Sequence, residues 1–240
     1  MPHPHRLNAI HHEKAKRVVA TVLWISLILS ILYAAVRVVA APSSPTDEEG
    51  VRLKSDYVLI LIQCLLGLVV MTLPTFIEKR WRIVLPDTIV ILYFIFLYCA
   101  IFLGEVFSFY YRIPHWDSML HAFSGAMLGA LGFVLVDFLN KDSHVKVSLA
   151  PFFISLFAFS FALSVGALWE VYEFSFDYLL GLNMQKHTTS NGIGLVGREA
   201  LSDTMKDIII DAAAALFISA LGYVLNKRKQ LKEIKENAVA

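Results

Sequence analysis

Residues 18–36 read VVATVLWISLILSILYAAV, a run of nineteen positions without a charged side chain. A helix needs about 20 apolar residues to cross the hydrocarbon core of a bilayer. The run is longer than the apolar part of a secretory signal peptide, which has about 7–15 residues. The sequence therefore predicts a first transmembrane helix that is retained in the mature protein.

The composition of the whole chain extends this interpretation. Hydrophobic residues make up 57% of the sequence and charged residues 17%, whereas soluble proteins carry about 25% charged residues. With a mean hydropathy of +0.63, the chain has more apolar surface than a 27.0 kDa globule can bury. These values exclude a soluble enzyme, a coiled coil and a disordered chain. The net charge of +1 provides no field for a nucleic acid, so we expect no nucleic-acid partner.

Five further apolar runs follow the first. None has the period-two alternation of barrel strands, so the predicted fold is all-α: a polytopic membrane protein with six transmembrane helices. We expect spans at about 18–40, 57–77, 87–110, 118–138, 147–178 and 203–226. They form one membrane domain, 18–226, between a cytoplasmic tail, 1–17, and a basic cytoplasmic tail, 227–240.

Lysine and arginine counts in the loops predict the orientation, because cytoplasmic loops carry the excess of positive charge. The two tails and the loops after spans two and four carry 14 of these residues, and the other three loops carry 5. Both termini are therefore expected in the cytoplasm. We expect a multi-pass protein of the plasma (inner) membrane.

Ionisable residues concentrate in spans four to six. They are Asp117, His121, Glu170, Glu173, Asp177, Asp203, Lys206, Asp207 and Asp211. Such groups are costly inside a membrane and indicate function by default. In the predicted topology all of them lie in the extracytoplasmic half, where the three spans can bring them together.

The balance of charge in this set indicates a cation. Several carboxylates in a low dielectric cannot all ionise, so either they share protons or a divalent cation neutralises them. Oxygen ligands with one imidazole suit Mg, Mn or Zn. The first-choice ligands are His121, Glu170, Glu173 and Asp207, with Asp117, Asp203 and Asp211 as second choice. His121 and Glu173 are also the candidate catalytic bases. Helix capping, water-facing carboxylates and a packed histidine are the alternatives for individual residues.

Four motifs resemble a known family. They are WDSMLHAFSG (Trp116–Gly125), LWEVYEF (Leu168–Phe174), GLNMQ (Gly181–Gln185) and DTMKDIIID (Asp203–Asp211). In this order they resemble the YjdF-like inner-membrane proteins, multi-pass proteins with a domain of unknown function. The chain is also more loosely similar to VanZ-like membrane proteins, which have an Asp, a His and downstream acidic residues in the same order. The chain departs from that pattern at Ser118 and Glu173, and the similarity implies a role in the cell envelope only by analogy.

Three functions remain open at this stage, so the sequence does not decide whether the protein is an enzyme. The first is a non-catalytic membrane protein whose polar cluster, with a structural metal, locks three helices together. The second is a metal-dependent enzyme acting on a lipid or lipid-linked substrate, and the third is a cation or proton transporter. The bilayer is the expected partner, and the oligomeric state stays open. The loop at 181–202 is either a connector or a lid over the site.

Overall fold

The computed structural model describes residues 4–44, 51–141, 149–189 and 193–239. These residues form eight α-helices and one π-helix, with no strand among them. The α-helices are α1 Pro4–Ala40, α2 Lys54–Val70, α3 Leu73–Trp81, α4 Asp87–Leu97, α5 Phe109–Arg112, α6 Trp116–Lys141, α7 Pro151–Leu180 and α8 Arg198–Val239, and the π-helix Tyr98–Val106 continues α4.

Six helical segments of the described chain are long and apolar enough to cross a membrane, which confirms the all-α, six-span fold. They are His12–Ala40, Lys54–Trp81, Asp87–Val106, Trp116–Asn140, Pro151–Leu180 and Arg198–Lys232. Large apolar side chains on these helices, such as Val36, Val69 and Phe217, are mostly exposed. Lipid would cover such surfaces. The expected start of span five, at 147–148, lies outside the described residues.

The second span is interrupted near its end. α2 stops at Val70 and α3 starts at Leu73, with Pro74 in the first turn of α3. Proline is tolerated there because the first helical N–H groups have no acceptor within the helix. α3 then continues to Trp81, beyond the expected end of the span at 77.

The third span differs from the expected range 87–110. Its helix widens into the π-helix and ends at Val106. Ser108 follows with a φ of 60°, a left-handed conformation that an α-helix cannot contain. Nη2 of Arg52 also donates to the carbonyls of Glu105 and Val106, both at 2.9 Å, and so caps the helix end. The expected continuation to Tyr110 is therefore wrong, and α5 is a separate turn.

The chain forms two compact units. The first unit is Met1–Leu120 with Glu173–Asp203, and the second is His121–Tyr172 with Thr204–Ala240. In the first unit α1 packs along α2 and α4, with Leu23, Leu27 and Cys64 fully buried.

Polar contacts group the chain segments at the two ends of the first unit. At one end Lys16 of α1 pairs with Asp87, where α4 begins. At the other end Arg52 contacts the end of the π-helix, and Lys186 of the α7–α8 loop pairs with Glu105. A chain that crosses a membrane back and forth brings alternate helix ends and loops together at each face, as these contacts do. The side on which each end lies stays a prediction from the charge counts.

In the second unit, α6 contacts α7 and α8 through glycines. A Cβ at Gly132 would lie 2.6 Å from the Cα of Ala158 in α7, and one at Gly125 would lie 2.9 Å from the carbonyl oxygen of Asp211 in α8. Only glycine permits such close backbones, because any larger side chain would separate the helices. The polar cluster of the second unit lies at this approach.

Candidate functional site

His121 is the centre of the buried polar cluster. It lies on the second turn of α6 and is only 7% exposed. Its Nδ1 lies 3.2 Å from Oδ2 of Asp211 on α8, and its Nε2 lies 3.8 Å from Oε1 of Glu170 on α7. One imidazole thus contacts a carboxylate from each of the two neighbouring helices.

Asp211 fits into this cluster because two glycines leave room for it. Its backbone lies against Gly125 of α6, and a Cβ on Gly166 of α7 would overlap its carboxylate. Asp211 is 2% exposed, although it lies well inside a transmembrane helix. A buried carboxylate requires partners. His121 supplies one at 3.2 Å, and Ser124 Oγ lies 3.5 Å from the other oxygen of Asp211 while donating to the His121 carbonyl at 3.0 Å.

The two ring nitrogens of His121 have different surroundings. An Nδ1–H donor suits the carboxylate of Asp211, and in that tautomer Nε2 carries the lone pair. The 3.8 Å from Nε2 to Glu170 is too long for a hydrogen bond. It does suit two ligands of one ion, because metal–ligand distances of about 2.1 Å allow them to lie up to about 4.2 Å apart.

Asp207 is the next acidic residue of this cluster. It lies one turn before Asp211 on α8 and is 4% exposed. His121 and Asp207 each offer a potential ligand atom, and these two atoms lie within 4.8 Å of each other. Lys206, the neighbouring cation in sequence, is exposed, so it does not share the environment of Asp207.

The expected ligand set is thus divided by the fold. The second unit brings together His121, Glu170, Asp207 and Asp211. Asp117, Glu173 and Asp203 belong to the first unit, where each is half-buried. Asp211, a second-choice ligand from the sequence, is the carboxylate nearest to His121. Ser124 was missed, although its place three residues after His121 puts it beside the imidazole on a helix.

A second polar cluster, in the first unit, was also missed. Nζ of Lys186 lies 3.3 Å from Oε1 of Glu105, and it lies over the rings of Tyr110 and Tyr111, 4.5 and 5.5 Å from their centroids. Burial lowers the pKa of Lys186, but Glu105 and the other nearby acidic groups outweigh it, and the pKa is raised. Lys186 therefore stays charged at neutral pH. The signal in the sequence was Glu105 itself, an acidic residue at the end of an otherwise apolar span.

The loop after α7 is folded around Asp177. Oδ1 of this carboxylate accepts the N–H of Met184 at 2.7 Å, and Oδ2 accepts the N–H of Gln185 at 3.0 Å. Nδ1 of His187 lies 3.3 Å from Oδ2. Asp177 thus orders a loop that the sequence left open as a connector or a lid. Asn191 and Gly192, which belong to the same loop, lie outside the described residues.

Comparison with known proteins identifies the family. Residues 16–228 match the model of a family described as predicted membrane protein (DUF2238), so the chain belongs to that family. No curated protein and no solved structure matches the chain. The match does not support the looser resemblance to VanZ-like proteins.

Proposed function

We propose that this chain is a multi-pass inner-membrane protein of YjdF-like type, in which one divalent cation fastens α6, α7 and α8 of the second unit together. His121, Glu170 and Asp207 bind the cation in this proposal, and Asp211 holds the imidazole in place. The observation that carries it is the position of His121, with Asp211 at 3.2 Å from Nδ1 and Glu170 at 3.8 Å from Nε2. Ligating histidines commonly donate their second N–H to a carboxylate in this way.

Electrostatics supports a cation at this place. Glu170, Asp207 and Asp211 are each at most 4% exposed, and all three have a carboxylate oxygen within 4.8 Å of a His121 ring nitrogen. Two unit charges 4 Å apart interact by about 4 kcal/mol at an effective dielectric constant of about 20. A dication offsets several such repulsions at once. Shared protons are the competing account, and they predict no metal dependence.

The donor set favours a transition metal over magnesium. Imidazole is a common ligand of Zn and other transition metals, whereas Mg prefers oxygen ligands and retains several waters. The burial of His121 and its carboxylates leaves little room for those waters. Of the three candidate ions, we therefore expect Zn or Mn.

Burial also favours a structural role over a catalytic one. His121, Glu170, Asp207 and Asp211 are all less than 8% exposed. A lipid headgroup would have to displace packed side chains to reach them, and an enzyme needs its metal open to substrate. Glu173, the other candidate base, lies one turn beyond Glu170 towards the end of α7. A transporter needs a route of polar groups through the bilayer, and the contacts of this cluster do not by themselves suggest one.

Metal analysis of the purified protein tests the proposal. Wild-type protein is expected to hold about one Zn or Mn ion per chain, and His121→Ala and Asp207→Asn are expected to lose it. Asp137→Asn is the matched control, because Asp137 lies on α6 but is exposed. A chelator should lower the Tm of the wild type and of the control only.

Two results would contradict the proposal. If the wild-type protein is folded and metal-free, and neither chelator nor added metal changes its Tm, shared protons would be the better account. A metal-free variant that keeps the wild-type Tm but loses a measurable activity would favour the enzyme, because a structural metal must stabilise the fold.

A further inference from the structure

We propose that Glu105, Tyr110 and Tyr111 form a binding site for an alkylammonium group, which we call the ammonium box, and that Lys186 fills it in this structure as a tethered occupant. Nζ of Lys186 lies 3.3 Å from the Glu105 carboxylate and over both tyrosine rings, 4.5 and 5.5 Å from their centroids. Aromatic faces within about 6 Å of a cation, joined by a carboxylate, are the chemistry by which proteins bind ammonium ligands.

The three residues of the box lie outside the loop that fills it. Glu105, Tyr110 and Tyr111 come from one short stretch, the end of the π-helix and α5. Arg52 fixes this stretch by donating to the carbonyls of Glu105 and Val106 and to the Ser108 hydroxyl. π-Helical segments are rare and occur often at functional sites.

The Tyr110 ring is held in place by close packing. A Cβ on Gly104 would overlap the ring, so only glycine leaves space for it against the π-helix. Tyr111 is held by its hydroxyl, which accepts from Nδ2 of Asn183 at 3.1 Å. Gly104 thus leaves the space for one aromatic face of the box, and Arg52 holds the backbone that carries Glu105.

The occupant comes from a different segment of the first unit. Lys186 lies in the α7–α8 loop, where its Nζ also donates to the carbonyl of Asn183 at 3.3 Å. Because it is tethered, Lys186 competes with any free ligand through its effective concentration, which is in the millimolar range for short tethers. The Lys186 side chain therefore blocks the box for as long as its ammonium group lies there.

The charges around the box favour a cation as its ligand. Glu105, Asp117 and Glu173 all act to raise the pKa of Lys186 against the effect of its burial. Without Lys186, the half-buried carboxylates of Glu105, Asp117 and Glu173 would lose this positive charge. An external ammonium ion would restore it, whereas an anion would be repelled.

Removal of the occupant gives a direct test in the full-length protein. Lys186→Ala empties the box, and its thermal unfolding is followed while methylammonium or ethanolamine hydrochloride is added, with sodium chloride at matched ionic strength as reference. We expect the Tm to rise by about 3 °C at ten times the Kd and to go on rising with the logarithm of the amine concentration. The double variant Lys186→Ala with Glu105→Gln should lose this response, because the carboxylate that binds the ammonium is gone.

The source of the ammonium group is tested in nanodiscs. If a lipid headgroup is the ligand, Lys186→Ala should gain more stability, relative to the wild type, in phosphatidylethanolamine than in phosphatidylglycerol, whose headgroup has no ammonium, without any soluble amine. If a free amine is the ligand, the two lipids should give equal stability and soluble amine should still raise the Tm. Either result supports the box.

Other results would overturn the inference. If Lys186→Ala folds and its Tm changes neither with the two amines nor between the two lipids, Glu105 and Lys186 form only an internal ion pair. Equal stabilisation by the neutral alcohol 1-propanol would show simple cavity filling. Lys186→Ser, whose short side chain also leaves the box empty, receives the same titration if Lys186→Ala does not fold, and an absent response there counts equally against the box.

Discussion

Nδ1 of His121 and Oδ2 of Asp211 lie 3.2 Å apart, although 90 positions separate the two residues in the chain. The pair joins α6 to α8 in a place where both side chains are almost fully buried. It also determines which imidazole nitrogen faces Glu170. Asp211 therefore faces Nδ1 of the imidazole and Glu170 faces Nε2, although the sequence alone does not distinguish these two acidic residues.

Asp211→Asn should weaken metal binding without abolishing it. The amide oxygen can still accept from Nδ1 of His121, but the negative charge that supports the imidazole is lost. Loss of such a supporting group typically lowers metal affinity by about 10–100-fold. Competition with a chelator of known affinity measures the change, with Asp207→Asn as the comparison that removes a direct ligand. Equal loss in both variants would make Asp211 a ligand as well.

Gly166→Ala should destabilise the second unit. The added methyl group would overlap the Asp211 carboxylate, which has little room to move. Overpacking of this kind costs about 1–3 kcal/mol. Thermal unfolding in detergent measures the loss. Gly129→Ala is the matched control, because its nearest neighbour is a methyl group of Ile218 at 3.3 Å, and a larger loss there than at Gly166 would contradict the packing described here.

Asp177→Asn should loosen the loop that follows α7. The two oxygens of the Asp177 carboxylate accept the N–H groups of Met184 and Gln185. In asparagine an NH₂ group replaces one of these oxygens, so that a donor faces a donor. Loss of a hydrogen bond to a charged group costs about 1.5–3 kcal/mol, so the affected amide should exchange about tenfold faster or more. Hydrogen exchange with mass spectrometry measures this. The control is Tyr178→Phe, an exposed neighbour on the same helix turn, and unchanged exchange in Asp177→Asn would remove Asp177 as the organiser of the loop.

The orientation predicted from lysine and arginine counts can be read with reporters. A reporter fused after Ala240 should be active in the cytoplasm, and one inserted after Thr189 should be active outside. At each site, a reporter that is active only in the cytoplasm is compared with a reporter that is active only outside. Reversed readings would contradict the predicted orientation.

The residues of the site could be listed from the sequence, but their partners could not. His121 and the acidic residues of spans four to six stood out because charge inside an apolar run is rare and costly. Glu170 and Glu173 looked equivalent, since both are glutamates near the end of one span. The fold groups Glu170 with His121 in the second unit and Glu173 with the first. The approach of α6 to α7 that puts Glu170 3.8 Å from His121 decides this, and it cannot be read from a single chain.

The sequence by itself determined that the chain crosses a membrane six times as helices, because hydropathy and helix length are local properties of consecutive residues. Tertiary structure alone decided that Asp211 is the acid beside Nδ1 of His121, and that Lys186 lies against Glu105 and two tyrosines. Those contacts depend on how closely separate helices and a loop approach each other. The distance of approach is set by missing side chains at Gly125, Gly166 and Gly104, whose effect appears only when the segments pack.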